Sequence, residues 1–278
     1  MSAQQVSLVD QLPLNKGVRL LAHNEDGLVA LEKPAGALSH PNASDEKERS
    51  LLDADYNEQQ ECYSWKDELG NEQKAWLINR LDSPTSGVIL IGTNLEISET
   101  IKRVFASHKI TKTYYALVRG VPSIPSGVWA DKLRKSVQRG KRFIKDALRV
   151  SAKTRYQVVK SPPGGLPIAL LKLMPVTGRT HQLRVQCKKH GFPIIGDRTY
   201  GSFSFNREVY SLTDTKRMML HSAQTIVDYS FKGKLRSFEA ESPLPKPFND
   251  VLGFRSGLNL SRPRPTKKLS LKGRRFKS

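Results

Sequence analysis

The sequence predicts an α+β fold around a largely antiparallel sheet. Short apolar runs separated by turn residues recur along the chain, strands outnumber helices, and hairpin signatures dominate. No Gly-rich strand-to-helix unit marks an alternating βαβ layout.

Taken in order, residues 18–32 (VRLLAHNEDGLVALE) read as two short strands around the turn Asn24-Glu25-Asp26-Gly27, followed by the stiff turn Lys33-Pro34-Ala35-Gly36. Residues 76–80 and 88–93 are apolar runs flanking the loop at 81–87, which predicts strand, loop, strand. Asn94 is a good helix N-cap, and beyond it Ile97, Ile101, Val104 and Phe105 fall at i, i+4, i+7 and i+8, the pattern of one amphipathic helix. Residues 113–118 are β-rich, and 154–159 with 168–175 bracket Pro162-Pro163-Gly164-Gly165 as a hairpin. Thr180 is expected to cap a short helix ending at Gly191, and residues 222–231 and 235–241, joined at Lys232-Gly233-Lys234, make a last hairpin.

The 278 residues suit one large domain or two small ones, and 38% apolar content suffices for a core without metal or disulfide staples. Cys62 and Cys187 stand far apart and in no metal-ligand spacing, so neither a disulfide framework nor a structural zinc site is expected, and a reducing, cytoplasmic setting fits. No apolar run approaches the roughly 18 to 20 residues of a membrane span. The opening MSAQQVSLVDQLPLN lacks the basic start and apolar stretch of a secretory signal.

Against this ordinary background, 46 Lys plus Arg face 26 Asp plus Glu, a net charge of +20. Such an excess calls for a polyanion, with nucleic acid ahead of an anionic membrane surface. The charge is uneven. Residues 42–73 carry ten acids and three bases, 132–145 (KLRKSVQRGKRFIK) carry seven bases and no acid, and 249–278 hold nine bases and one acid. The run at 132–145 is the stronger candidate for RNA or DNA contact because it lies between structured segments. The tail is either a solubilising terminus or an arm adding phosphate contacts. Within the acid-rich stretch Ser50-Leu51-Leu52-Asp53 reads as helix-like, and the rest is a lid, a partner surface or a disordered loop.

Missing parts exclude several enzyme classes: the chain has no dinucleotide fingerprint, no P-loop, no H-E-x-x-H and no G-x-S-x-G. What remains is a carboxylate in a tight loop, Asp82, preceded by Arg80 and followed by Thr85-Ser86-Gly87. Read on the loop alone, Asp82 either closes an Asx-turn between two strands or is a reactive carboxylate.

The loop Asn79-Arg80-Leu81-Asp82-Ser83-Pro84-Thr85-Ser86-Gly87 resembles the H-R-L-D-x-x-T-S-G signature of the RluA-like pseudouridine synthases, with Asn79 where a His is usual. Four further blocks follow that family's pattern in order. Leu28 through Gly36, with His40-Pro41 after it, is similar to the first block, and Lys112-Thr113-Tyr114-Tyr115-Ala116-Leu117-Val118-Arg119-Gly120 to the K-x-Y-x-A-x-V-x-G strand. Thr177-Gly178-Arg179-Thr180-His181-Gln182-Leu183-Arg184-Val185 is similar to the G-R-T-H-Q helix, with Gln186 where a His is usual. Gly191 through Asp197, Tyr200-Gly201 and Met219-Leu220-His221-Ser222 complete the pattern.

The resemblance implies the pseudouridine synthase fold, a mixed, largely antiparallel sheet with flanking helices and a central RNA-binding cleft, over residues 17–248. Residues 1–16 would be an extension, too short for the RNA-binding module the family often carries, and 249–278 a flexible basic tail. It implies an isomerase that flips a uridine out of structured rRNA or tRNA, detaches the base and rejoins it through carbon, as a monomer with no cofactor or metal. Asp82 would be the essential carboxylate. Tyr114 would stack on the uracil, or else be a core aromatic. Arg184 would pair with Asp82 and orient it, or else be a solvated helix charge. Arg80 would fill the vacated stack and hold the flipped phosphodiester, or else be a surface Arg beside the loop. Lys112, Arg179, Thr180 and His181 would meet RNA, the last three at a helix N-terminus, or else those three only brace the Asp82 loop. His40 and His221 are read as structural. The rival reading is an RNA-binding or RNA-folding module that has kept the scaffold and lost catalysis.

Overall fold

The computed structural model describes residues 9–134 and 149–255. The first hairpin pairs β1 (Arg19–His23) with β2 (Leu28–Lys33). A 3-10 helix (Ser44–Arg49) leads to an antiparallel meander of β3 (Asp55–Asn57), β4 (Cys62–Lys66) and β5 (Glu72–Leu77). Next come β6 (Ser86–Gly92), α1 (Leu95–Ala106) and β7 (Ile110–Arg119). They are followed by β8 (Ser126–Arg134), β9 (Arg149–Lys160) and β10 (Ile168–Pro175). The chain then forms α2 (Gln182–Lys189), α3 (Phe203–Thr213), the hairpin of β11 (Leu220–Phe231) with β12 (Lys234–Glu241), and α4 (Lys246–Gly253). The α+β class is as the sequence predicts.

The described strands form one sheet in the order β3-β4-β5-β6-β11-β7-β10-β9-β8, with β2 also on β6 and β12 on β11. The strand β6 is the hinge of this plan. Its run Ser-Gly-Val-Ile-Leu-Ile-Gly is buried at every position, as expected of a strand covered on both faces. It pairs antiparallel with β2 and β5 and parallel with β11, through Ser86 beside His221 and Gly87 beside Ser222. That short parallel join unites the half built from β1–β6 with the half built from β7–β12. Gly87 permits it: its φ is +112°, and a Cβ there would lie 2.0 Å from the Ser222 carbonyl oxygen.

Three apolar clusters fill the body. One lies under β7, β10, α2, α3 and α4, one under the β2–β6 half, and one under α1 and β12. Tyr114 packs against both of the first two. In α1 the Asn94 side chain accepts from the Ile97 amide at 2.9 Å, and Ile97 and Ile101 are fully buried.

Four expectations need correction. Thr180 does not cap α2. The Gln182 Oε1 accepts from the Arg179 amide (3.1 Å) and the Thr177 hydroxyl (2.7 Å), and His181, at φ +53°, turns the chain into the helix. The strand expected at 76–80 begins at Glu72 and ends at Leu77, because Ile78 to Pro84 leave the sheet as the site loop. The helix-like Ser50-Leu51-Leu52-Asp53 is not helical; Leu52 instead forms a bridge with Leu14. The boundary at 248/249 is crossed by α4, whose Phe248, Val251 and Leu252 are buried in the first cluster. Val9 and Leu12 are likewise packed, in the second. The basic run is described only to Arg134 and the tail only to Arg255; the remainder of both expectations lies outside the described residues.

His221 stands at the parallel join, fully buried. Its Nε2 donates to the Ser242 carbonyl (3.1 Å), so its Nδ1 accepts from the Ser86 hydroxyl (2.8 Å). That tautomer is neutral. Burial pushes the imidazole down to about 4, the Ser242 carbonyl partly opposing. A folded pKa below the unfolded value means that the unfolded chain binds the extra proton first, so stability falls as pH drops from 6.5 to about 4. Urea unfolding across this window is expected to show His221→Gln escaping a loss on the order of 3 kcal/mol that the parent chain suffers.

Candidate active site

The loop that carries Asp82 is stapled to the end of β2 and to the segment that follows it. The Ser39 hydroxyl donates to the Leu81 carbonyl (2.8 Å) and accepts from the Leu81 amide (3.0 Å). The Gly36 amide donates to the Ser83 carbonyl at 2.8 Å, and the Ser83 hydroxyl returns a bond to the Gly36 carbonyl at 3.0 Å. Lys33, wholly buried, donates from Nζ to the carbonyls of Pro34 (3.1 Å), Ala37 (2.7 Å) and Ser83 (2.9 Å). Burial pushes its ammonium down to about 7, with the Asp82 charge opposing and Arg217 adding to the fall. Three N–H donors exist only on the protonated amine. The turn at Asp82 is closed by its backbone carbonyl, which accepts from the Thr85 amide at 2.9 Å, so an Asx-turn is not needed and the carboxylate is free for other partners.

Those partners come from α2 and the loop before it. Arg184 Nη1 donates to Asp82 Oδ2 at 2.9 Å, and His181 Nε2 lies 3.7 Å from Oδ1. Arg184 is itself gripped from behind: Nε donates to Asp197 Oδ2 at 2.7 Å and Nη2 to Asp197 Oδ1 at 2.9 Å. The Asp197 carboxylate is fully buried and also accepts the amides of Thr199 (2.8 Å) and Tyr200 (3.0 Å). Burial alone would lift Asp197 and lower Arg184. The hydrogen bonds between them win, so Asp197 is pulled down and Arg184 up. The Tyr200 ring lies 5.1 Å from the guanidinium, and its hydroxyl is hydrogen-bonded to His181 Nδ1 at 3.1 Å.

All eight residues singled out from the sequence, Arg80, Asp82, Lys112, Tyr114, Arg179, Thr180, His181 and Arg184, line one cleft of about 710 Å³. Tyr114 comes from β7. Burial pushes its phenol up, and the Asp82 charge adds to the rise. Lys112, two residues earlier, has its ammonium pushed down by burial and stands 5.7 Å over the Phe105 ring. Arg80 is exposed and makes no hydrogen bond or ion pair among the described residues. Arg179 braces β9 by donating from Nε to the Ser151 carbonyl at 3.1 Å. The two departures from the signature both bond the scaffold. Asn79 Oδ1 accepts the Leu90 amide at 2.8 Å, while Gln186 accepts from the Thr154 hydroxyl (2.6 Å) and donates to Asp131 (2.8 Å).

Sequence reasoning missed Lys33, Asp197 and Tyr200, although each lies in a block that carried the resemblance. Among the described residues, no cluster of three His, Cys, Asp or Glu side chains is arranged to hold a metal ion. No helix there is long and apolar enough to cross a membrane. Because Asp197 neutralises a buried guanidinium, Asp197→Asn is expected to cost about 3 kcal/mol of stability, read as a lower urea midpoint.

Comparison with known proteins gives the family. The family model described as RNA pseudouridylate synthase matches residues 27–189. The tRNA pseudouridine synthase C of Pectobacterium carotovorum subsp. carotovorum is 30% identical over 235 residues, which span 81% of this chain and 59% of that protein. The tRNA pseudouridine synthase C of Haemophilus ducreyi is 32% identical over 222 residues, 73% of this chain and 82% of that one. In fold, the chain is similar to human RNA pseudouridylate synthase domain containing 1, with a TM-score of 0.59, 22% identity, and coverage of 82% of this chain and 84% of that one. With that model covering most of the body, and the Asp82 loop and the Arg184 helix both inside it, the chain belongs to the RNA pseudouridylate synthase family, whose members are isomerases acting on RNA.

Proposed function

We propose that this chain converts a uridine of folded tRNA into pseudouridine, with Asp82 as the carboxylate on which the reaction turns. The observation that carries the reading is the Asp82 carboxylate held at 2.9 Å by a doubly anchored Arg184, in a cleft that also presents Tyr114. The choice of tRNA over rRNA rests on the names of the two bacterial relatives. The chain is taken to work as a cytoplasmic monomer without metal or cofactor.

In the reaction the bond from C1′ to N1 breaks, the uracil turns, and a bond from C1′ to C5 forms; C5 gives up a proton and N1 gains one, so the product is an isomer. A carboxylate beside the anomeric carbon serves both the breaking and the rejoining. Arg184 aims that carboxylate and Asp197 keeps Arg184 from swinging away. The uridine must first leave its stack, at an unstacking cost of about a few kcal/mol. Arg80, uncommitted at the cleft, fills the vacated place. Tyr114 receives the uracil face, and its phenol, kept protonated by burial, assists proton transfer at C5. Lys112, Arg179, Thr180 and His181 hold the neighbouring backbone.

Asp82→Asn is expected to lower pseudouridine formation in tRNA by at least about 10³-fold, with the fold and RNA affinity nearly intact. Full activity in that variant overturns the reading. Since α4 is part of the core, the tail is best removed from residue 256 onward, where eight bases and no acid remain. That truncation is expected to weaken RNA binding and flatten its salt dependence while leaving the single-turnover rate at saturating RNA unchanged. Equal salt slopes for the two proteins exclude the tail from the interface.

A further inference from the structure

The acid-rich segment at 42–73 has no place in the chemistry above, yet it supplies the rings behind His40. The His40 imidazole lies 4.8 Å from the Tyr56 ring at an interplanar angle of 10°, and Tyr56 meets Tyr63 edge-on at 4.9 Å and 60°. Tyr63 is fully buried, and its hydroxyl donates to the Ser39 carbonyl at 2.7 Å, immediately before His40. Ser39 is the residue whose hydroxyl bonds both backbone groups of Leu81, the neighbour of Asp82. The ring of His40 is thus held from two sides, by a ladder of aromatic rings and by a backbone clamp that sets its distance from Asp82.

His40 lines the same cleft as Asp82, and Tyr56 does not. Tyr56 covers one face of the imidazole, so what the cleft receives is the remaining face or edge. The imidazole is only half-buried. Its Nδ1 lies 3.0 Å from the Pro41 carbonyl, which can only accept, so in the neutral ring the lone pair is on Nε2, and Nε2 has no hydrogen-bond partner among the described residues. A flat ring with its back supported and an unused acceptor matches a nucleobase, which offers a π-face for stacking and amino or imino hydrogens for the acceptor.

We propose that His40 is an RNA-binding residue that stacks on a base next to the extruded uridine, and that Tyr56 and Tyr63 are the acid-rich segment's contribution to recognition. The proposal rests on the cleft being the RNA site. It separates two functions within one cleft: Asp82 reacts, and His40 reads the flanking nucleotide.

The test measures dissociation constants for bulk tRNA, taken from cells lacking this protein, in the full chain. His40→Ala and His40→Phe are each placed in the Asp82→Asn background, with urea midpoints recorded in parallel. His40→Ala is expected to weaken binding about tenfold at an unchanged midpoint, and His40→Phe, which keeps a stacking ring, to recover most of it. A ring that only braces the fold moves the midpoint and not the affinity. Binding by His40→Ala within twofold of the Asp82→Asn parent, or His40→Phe as weak as His40→Ala, overturns the proposal. The parent chain's pseudouridine yield is assayed on the same RNA. A tenfold loss in His40→Ala beside an inactive parent chain supports the ring while removing the proposed activity, and an active parent chain with an indifferent His40 removes the ring alone.

Discussion

Everything in this molecule is arranged around one guanidinium with a carboxylate on each side. Arg184 is buried, and a buried cation with a single partner is a liability: its desolvation exceeds what one ion pair returns. Here Asp197 takes two of its donors and Asp82 a third. The division of labour follows from accessibility. Asp197 is sealed and further satisfied by two backbone amides, whereas the Asp82 side chain retains 26% of its exposure. One carboxylate fixes the arginine, and the other is fixed by it while still open to a ligand.

The scaffold explains how three residues so far apart in the chain can hold that geometry. Asp82 precedes β6, Arg184 rides on α2, and Asp197 follows the turn after that helix, so the clamp spans the two halves that meet at the β6–β11 join. The join is short, and it is reinforced by buried polar contacts: His221 with Ser86, and Arg217 Nη2 donating to Ser86 at 2.6 Å. On the other side, Lys33 ties the Asp82 loop to the turn after β2 through three carbonyls. Such fully paired buried polar groups hold a site more tightly than apolar packing alone, since each alternative geometry leaves a donor unsatisfied.

Much of this was legible in the sequence, and the parts that were not have physical reasons. The strands of the hairpins at 18–32, 154–175 and 222–241 follow from turn chemistry and apolar runs, both local properties. The eight site residues converge on one cleft because ordered motifs encode one site. The strand β8 was overlooked because Asp131 occupies a core-facing position between Trp129 and Leu133, breaking the apolar alternation; its burial is tolerated only because Gln186, Lys189 and His190 pair with it. The helix α4 places Phe248, Val251 and Leu252 at helical spacing, but Pro243, Pro245 and Pro247 around its start read as breakers, although a proline in the first turn of a helix is harmless. Thr180 has a good capping side chain, yet the chain enters α2 through His181 in the left-handed region, with no side-chain cap, and Gln182 accepts the preceding Arg179 amide instead. Asp197, between Gly196 and Arg198, reads as a turn residue, and only the fold reveals the buried arginine it faces.

The clamp is the claim on which the account stands, and the structure of the Asp82→Asn variant bound to its RNA tests it most directly. The account predicts an unstacked uridine against Tyr114 and beside Asn at position 82, with Arg184 still held in two bonds by Asp197. A uridine left stacked in the RNA, or an Arg184 that abandons Asp197 to contact the nucleotide, contradicts it.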